Sequence, residues 1–544
     1  MLYRHILTSD PIALEPGQRL RTDRVIVIGA GIGGLTAALV LAADGLDVTV
    51  VERADEPGGK LREATLGSAR IDAGPTVFTM RWVLEEILAA AGASLAAELT
   101  LRPAALLARH AWSERARLDL FADIERSADA VGAFAGAAEA RRFRAFSARA
   151  RSVYRALERP FIRAQRVSPW SLTRDCGLRG IGSLLSIAPH ATLWQALGAH
   201  FEDGRLRQLF GRYATYVGSS PFQAPSTLML IAHVEQDGVW LVEGGMHRIA
   251  RLLARLAATK GARLRYAAEA SEIQLEGGRV AAVRLSTGER IEADAVIVNA
   301  DVASLAGGKL GRDAAAAVPA MPRAGRSLSA VTWALVAETE GFPLQRHNVF
   351  FSSDYAAEFE DIFRCARLPL SPTVYVCAQD RDGGADRAAR GPERLLCLVN
   401  APPTGDTHPF DATEIEQCAD RTFGLLRRCG LTVRRRPELT AVTTPAGFER
   451  LFPGTGGALY GQATHGWKAS FARPTARTRI PGLYLAGGSA HPGAGLPMAA
   501  LSGRMAASCL MADRSGRSPA RRMGGHASTP GSRPAATPGG TPTR

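Results

Sequence analysis

Three glycines and one glutamate set the first chemical constraint on this chain. Gly29, Gly31 and Gly34 stand at G-x-G-x-x-G spacing, and Glu52 follows 23 residues after the first of them. At this spacing the first glycine permits a tight turn, the second lets backbone approach a pyrophosphate, and the third lets a helix lie close on a strand. The helix N-terminus offers unpaired N–H groups and a positive dipole end to phosphates. A terminal carboxylate accepts hydrogen bonds from ribose hydroxyls. The elements needed to position these residues occur in order. Val25 to Ile28 reads as a strand, Gly33 to about Asp44 as a helix, and Val48 to Val51 as a second strand ending on Glu52. Residues 24 to 61 therefore predict a strand–turn–helix–strand unit that holds a dinucleotide.

Downstream residues favour FAD over NAD. Pro57 to Arg62 is a short link carrying Gly58, Gly59, Lys60 and Arg62, suited to folding back over a pyrophosphate. Ile71 to Thr76, with Gly74 and Pro75, brings backbone close to a flavin ring. Near the other end, Gly482 to Leu485 is a short apolar strand running through Ala486 into Gly487 and Gly488. It leads through His491 to Leu496, Pro497 and Met498, and then into a helical run from Ala499 to Met511. A helix N-terminus there faces the polar edge of a flavin or its ribityl chain. His491 reads as shaping its loop. Leu496 and Met498 read as packing residues whose backbone N–H groups face the flavin. An NAD site needs no such distant closing segment.

The quoted segments resemble the phytoene-desaturase family of FAD-dependent carotenoid oxidoreductases, within the wider amine-oxidase and GDP-dissociation-inhibitor fold, from about Arg24 to Cys509. Four stretches (residues 74–82, 212–221, 233–240 and 488–493) are similar to the bacterial hydroxyneurosporene (1-hydroxycarotenoid 3,4-) desaturase branch. The resemblance implies an α/β fold: a Rossmann-like FAD-binding domain with an inserted α+β substrate domain. It places the segment around Ala270 against the adenine. It also implies that a C–C single bond of a long polyene is oxidised, hydride passing to flavin, while the protein supplies a narrow apolar tunnel. That chemistry matches a sequence with no nucleophile triad and no metal cluster, and no catalytic acid or base is named. In that branch the substrate end carries a hydroxyl. The polar candidates to meet it are Arg81, His233, Glu235, Gln236 and Asp237. The electron acceptor, oxygen or quinone, stays open. The same fold also serves other carotene desaturases, carotenoid isomerases and amine oxidases. Tyr460 and Trp467 are the local candidates for the aromatic cage an amine oxidase needs. Non-enzymatic prenyl-lipid binders of the fold should lack the full glycine set.

Composition agrees with a large globular protein. The chain has 544 residues, 46% hydrophobic and 22% charged, enough for two domains. No apolar run reaches the length of a membrane span. Residues 1–23 lack the apolar core of a secretory signal and read as a loose extension. Seven scattered cysteines without C-x-x-C pairs read as reduced thiols in the cytoplasm, with no metal. The net charge is +14. The tail, 513–544, holds six arginines against one aspartate and too few apolar residues to fold. No nucleic-acid motif accompanies the positive charge. An anionic membrane surface is the expected partner, which places the protein peripherally at the inner face.

The FAD-binding domain is expected to be discontinuous, from 24–100, 240–305 and 455–512. Gly245 and Met246 open a helix to Ala258 in the second piece, and strands follow at 264–266, 271–275, 280–285 and 295–298. The substrate domain takes 101–239, which looks helical, and 306–454, with strands at 328–336, 374–377 and 395–399. Residues 141–166 carry nine arginines among Phe143, Phe146, Val153, Tyr154, Leu157, Phe161 and Ile162. Such a helix either lies in a headgroup interface with its rings in the acyl boundary or packs its apolar side into the domain.

Overall fold

The computed structural model describes residues 23–165, 191–381 and 391–516. The extension up to residue 22, Arg166, Cys176, the Gly/Pro punctuation at 177–182 and the tail from 517 lie outside the described residues.

Two sheets organise the molecule. The first is parallel and is built from β1 (Arg24–Ile28), α1 (Ile32–Ala43), β2 (Asp47–Val51), α2 (His247–Thr259), β3 (Arg263–Arg265), β4 (Ala295–Val298), β5 (Leu483–Leu485) and α3 (Leu496–Arg514). Its strand order is β5-β4-β1-β2-β3. Apart from the edge strand β3, the strands are short, apolar and nearly wholly buried, as expected when helices cover a parallel sheet. α1 is apolar all round and packs against α2 and α3. The five strands come from three distant stretches of chain, so the sheet closes only when residues near 297 and 484 join those near 27. Beside it lies a three-stranded antiparallel sheet, Ala270–Glu276, Arg279–Leu285 and Arg290–Glu292. Its first hairpin turns on Gly277 and Gly278, both at positive φ, which the two-residue turn requires.

The second large sheet is mostly antiparallel. Its order is Leu431–Arg434, Ser329–Gly341, Glu393–Ala401, Val374–Ala378, His347–Phe350, Leu106–Ala111 and Arg117–Phe121, with Thr440–Thr443 pairing alongside Ser329–Gly341. The stretch from residue 101 thus opens with strands, although its composition suggested helices. Arg117–Phe121 alternates buried and half-buried positions, the period of a one-face-buried strand, while Leu106–Ala111 is buried throughout. The arginine of Ala108-Arg109-His110 hides that burial: its guanidinium pairs with Asp119 across the hairpin at 2.8 Å.

The arginine-rich stretch forms one helix, Ala137–Leu157, and a π-turn, Glu158–Ile162. Phe143, Phe146, Val153, Tyr154 and Leu157 are buried against neighbouring elements. The rings of Phe143, Phe146 and Tyr154 are therefore spent on the core, while Phe161 is half-buried. Arg141, Arg151, Arg155 and Arg159 remain exposed. At the C-terminus, α3 runs to Arg514. Asp513, assigned by sequence to the tail, ends that helix and accepts hydrogen bonds from Arg477 and Tyr484. Among the described residues no helix is long and apolar enough to cross a membrane, and no cluster of ligating side chains suits a metal ion. Of the described cysteines, five are buried and Cys365 is exposed, all as thiols.

Candidate cofactor and substrate site

The carboxyl ends of the parallel strands open into one cavity of about 1010 Å³. This is where an open α/β sheet places its ligands. At the end of β1, Gly29 turns at φ +97 and donates its N–H to the Val51 carbonyl. Gly31 caps α1, and the first intrahelical bond runs from Leu35 N–H to the Gly31 carbonyl. The N–H groups of Ile32, Gly33 and Gly34 precede that bond and form the orphan donor set of a helix start. A Cβ at Gly31 would approach Asn299 Nδ2 to 2.8 Å, and a Cβ at Gly34 would meet the Gly29 carbonyl oxygen at 2.1 Å. Gly34 therefore serves the fit of helix to strand and does not line the cavity, whereas Gly29 and Gly31 do.

Glu52 ends β2 and is 8% exposed. One carboxylate oxygen accepts from the Ala30 N–H at 2.7 Å and the other from the Ala54 N–H at 2.9 Å. Each oxygen keeps a second acceptor site, and the residue lines the cavity together with Ala270. Gly59, Lys60, Arg62, Gly74 and Pro75 line it from one side, and Gly487, Gly488, Pro497 and Met498 from another. His491 does not: its Nε2 donates to the Ala164 carbonyl at 2.8 Å and its ring meets Phe161 edge-on. Burial lowers its pKa, so the ring is neutral.

Three wall residues escaped the sequence reading. Asn299, one step beyond β4, donates from Nδ2 to the Gly29 carbonyl at 3.1 Å. Its amide also lies where a Cβ at Gly31, Gly33 or Gly487 would fall, so it joins both ends of the chain at the glycine turn. Asp301 caps the helix Val302–Ala306 through Oδ1, while its buried Oδ2 has no hydrogen-bond partner among the described residues and stands 3.8 Å from Lys60 Nζ. Arg473 donates to the carbonyls of Tyr460, Gly488 and Gln462. Burial lowers its pKa to about 10 and also lowers that of Lys60, against the pull of Asp301. Their only sequence signals were Asn299 and Asp301 just past an apolar strand, where such folds keep polar contacts. A helix start bare of side chains, an unpartnered buried carboxylate oxygen and two cations in one cavity fit the phosphates, ribityl chain and polar ring edge of FAD.

Beyond this cradle the walls become apolar, including Leu157, Phe161, Ile162, Leu228, Leu230, Ile231 and Val234. One polar cluster interrupts them. Arg212 Nη2 donates to Tyr216 Oη at 2.7 Å, and Tyr216 and Tyr213 each donate to Glu235 at 2.6 Å. Tyr375 Oη lies 2.6 Å from Thr76 Oγ1 and 2.8 Å from His347 Nδ1. Burial raises the pKa of all three phenols, so they stay protonated. Burial pushes His347 down to about 3 and keeps it neutral.

Of the residues expected to meet a hydroxyl, the structure brings only Glu235 to the cavity wall. Arg81 is held outside by Glu85 at 2.7 Å and by the Trp240 ring under its guanidinium. His233 packs edge-on against Tyr154. Gln236 donates to the Phe121 and Ala122 carbonyls, and Asp237 is exposed. Helical geometry explains the split: on Leu230–Gln236, residues 231, 234 and 235 share one side and 233 points away. Tyr460 and Trp467 do line the cavity.

Comparison with known proteins adds four findings. The family described as flavin containing amine oxidoreductase matches residues 32–511. Hydroxyneurosporene desaturase of Rubrivivax gelatinosus is 56% identical over 506 residues, 93% of this chain and 96% of that protein. The 1-hydroxycarotenoid 3,4-desaturase of a Flavobacterium species is 30% identical over 493 residues, 90% of this chain and 99% of that one. Among solved structures, wild-type putrescine oxidase bound to putrescine shares the fold, with a TM-score of 0.55 at 16% identity over 90% of this chain and 99% of its own.

Proposed function

This chain belongs to the flavin-containing amine oxidoreductase family, and on that premise we propose that it desaturates a carotenoid whose end carries a hydroxyl, forming the 3,4 double bond. It is an FAD-dependent oxidoreductase of the carotenoid desaturase kind. Bound FAD supplies a two-electron acceptor for hydride leaving an allylic carbon. The single observation that carries the reading is the continuity of the cavity: the glycine cradle and the apolar walls bound one space. Leucine, isoleucine and phenylalanine make up most of that path, which suits a long hydrocarbon chain.

The chain's own part is positional. Gly29, Gly31 and the α1 N-terminus receive the pyrophosphate, and Glu52 holds the ribose. Ala270 would take the adenine side of the cofactor. Gly59, Lys60, Arg62, Gly74, Pro75, Gly487, Gly488, Pro497 and Met498, which line the cavity, would hold the rest of the cofactor. The Leu228–Val234 face keeps the polyene extended beside it, so the reacting C–H is already near its acceptor, an advantage reaching about 7–11 kcal/mol for well-oriented partners. The same walls exclude water. Two domains serve this arrangement, cofactor-binding residues 24–100, 240–305 and 455–512 and substrate-binding residues 101–239 and 306–454. The substrate is drawn from lipid at the inner membrane face, aided by the exposed arginines of the helix Ala137–Leu157, each worth about 1 kcal/mol near anionic headgroups. Electrons pass on to oxygen or quinone.

The test is product analysis. Flavin-loaded protein given a hydroxycarotenoid dispersed in lipid should yield a product lighter by two hydrogens. A product of unchanged mass with altered double-bond geometry would make it an isomerase instead.

A further inference from the structure

We propose that Arg212, Tyr216 and Glu235 form the subsite that recognises the substrate hydroxyl and so decide between hydroxylated and plain carotenoids. The inference rests on the carotenoid reading above. In the proposed reaction the hydroxyl is on carbon 1 and the bond oxidised lies between carbons 3 and 4. Only two bonds separate the hydroxyl carbon from the reacting pair. Whatever grips the hydroxyl must therefore stand beside the reacting region, not at the far end of the cavity.

The cluster meets that demand. The Arg212 guanidinium lies 5.9 Å from the centre of the Tyr375 ring, and the Tyr375 hydroxyl bonds Thr76. Thr76 directly follows Gly74 and Pro75, the strip assigned beside the flavin, and all of these residues line the cavity. One tyrosine ring thus separates the guanidinium from the cofactor strip.

Its bonding is incomplete in the way a hydroxyl would complete it. Arg212 carries five N–H donors. Among the described residues its guanidinium makes one hydrogen bond, from Nη2 to Tyr216. Burial works against its charge, but the surrounding phenol oxygens and the Glu235 carboxylate outweigh burial and raise its pKa, so it stays cationic. Each oxygen of Glu235 accepts one tyrosine and keeps a further acceptor site. A tertiary alcohol needs both kinds of partner: its oxygen accepts from Arg212, and its O–H is received within the Tyr216–Glu235 pair. A plain hydrocarbon end would bury the guanidinium donors without partners, and sites built for a hydroxyl reject the form lacking it by about 10⁴–10⁵ at most.

The experiment compares wild type with Arg212→Met and Tyr216→Phe, each loaded with flavin. The paired substrates are a 1-hydroxycarotenoid and the same polyene without its hydroxyl. Turnover is read as the ratio of the two kcat/KM values. Binding is read separately, without an electron acceptor, by quenching of tryptophan fluorescence. Wild type should prefer the hydroxylated form in both readouts. In each variant the preference should fall about 10²-fold or more, through weaker binding and higher KM for the hydroxylated form. If Arg212→Met does not fold, Tyr216→Phe reads the same ratio. Equal losses on both substrates with full flavin would show a merely structural cluster and overturn the proposal, as would a wild type with no preference. Absent turnover of either substrate would defeat the desaturase reading, while the binding preference still decides the subsite.

Discussion

At the end of β2, Glu52 holds the Ala30 and Ala54 N–H groups while facing the cavity. Leucine there would strand both N–H groups and remove two acceptors from the ribose. Charged hydrogen bonds of this kind are worth about 1.5–3 kcal/mol each, so Glu52→Leu should weaken FAD binding by about 10²-fold or more, measured by titrating flavin into apoprotein. Unchanged affinity would remove Glu52 from the site. Gly31→Val acts differently. Its side chain starts 2.8 Å from Asn299 Nδ2, in the space assigned to the pyrophosphate, so purified protein should carry no flavin while keeping its fold by circular dichroism. The placement of Gly29, Gly31 and Glu52 at the cavity was legible because their spacing within one local motif fixes the turn and the strand end. Arg212 and Tyr216 were not, since they meet Glu235 only after the chain folds. Neighbours in sequence misled in turn: Arg81 and His233 sit near the right elements but on the wrong sides of them.

Among the elements, α1 and α3 pack with backbone against backbone at a pair of glycines. A Cβ at Gly503 would meet the Gly33 carbonyl oxygen at 2.0 Å, and one at Gly33 would meet Gly487 N at 2.8 Å. Gly503→Ala must push the two helices apart at the end that bears the cofactor cradle. Overpacking of this kind costs about 1–3 kcal/mol, so the variant should melt earlier than wild type and lose flavin on dialysis. A variant as stable as wild type would mean the helices yield freely. The helix Tyr355–Phe363 offers a pH test. Burial raises the Glu358 carboxyl from 4.5 to about 7, despite hydrogen bonds from Thr373 and Asn400. A raised folded pKa means the folded state holds the proton more tightly. Its stabilising contribution is full below about pH 4.5 and is lost as pH rises through 7, on the order of 3 kcal/mol in all. The stability gap between wild type and Glu358→Gln should therefore shift against wild type between pH 4.5 and 7. A constant gap would refute the assignment. The strands of the parallel sheet were readable as apolar runs. Leu106–Ala111 was not, because Arg109 is buried through its pairing with Asp119, a partner that appears only across the hairpin.

At the scale of the whole molecule, the cavity exists because residues near 30, 60, 270, 299 and 487 converge on one sheet end. That convergence explains why a family resemblance along nearly the whole length carried so much of the fold, while the polar patch inside the apolar walls needed coordinates. The proposed membrane dock rests on the exposed arginines near 141–159. Sedimentation with anionic vesicles should fall as salt screens the attraction, and substitution of Arg151, Arg155 and Arg159 by glutamine should weaken it further. Equal binding to neutral vesicles would oppose an electrostatic dock. Desaturation itself is tested most directly by a single turnover without electron acceptor. Flavin-loaded protein mixed anaerobically with a hydroxycarotenoid in lipid should form one red-shifted product molecule per bound flavin and then stop. Continued conversion beyond that count, or flavin-replete protein that leaves the chromophore unlengthened, would contradict it.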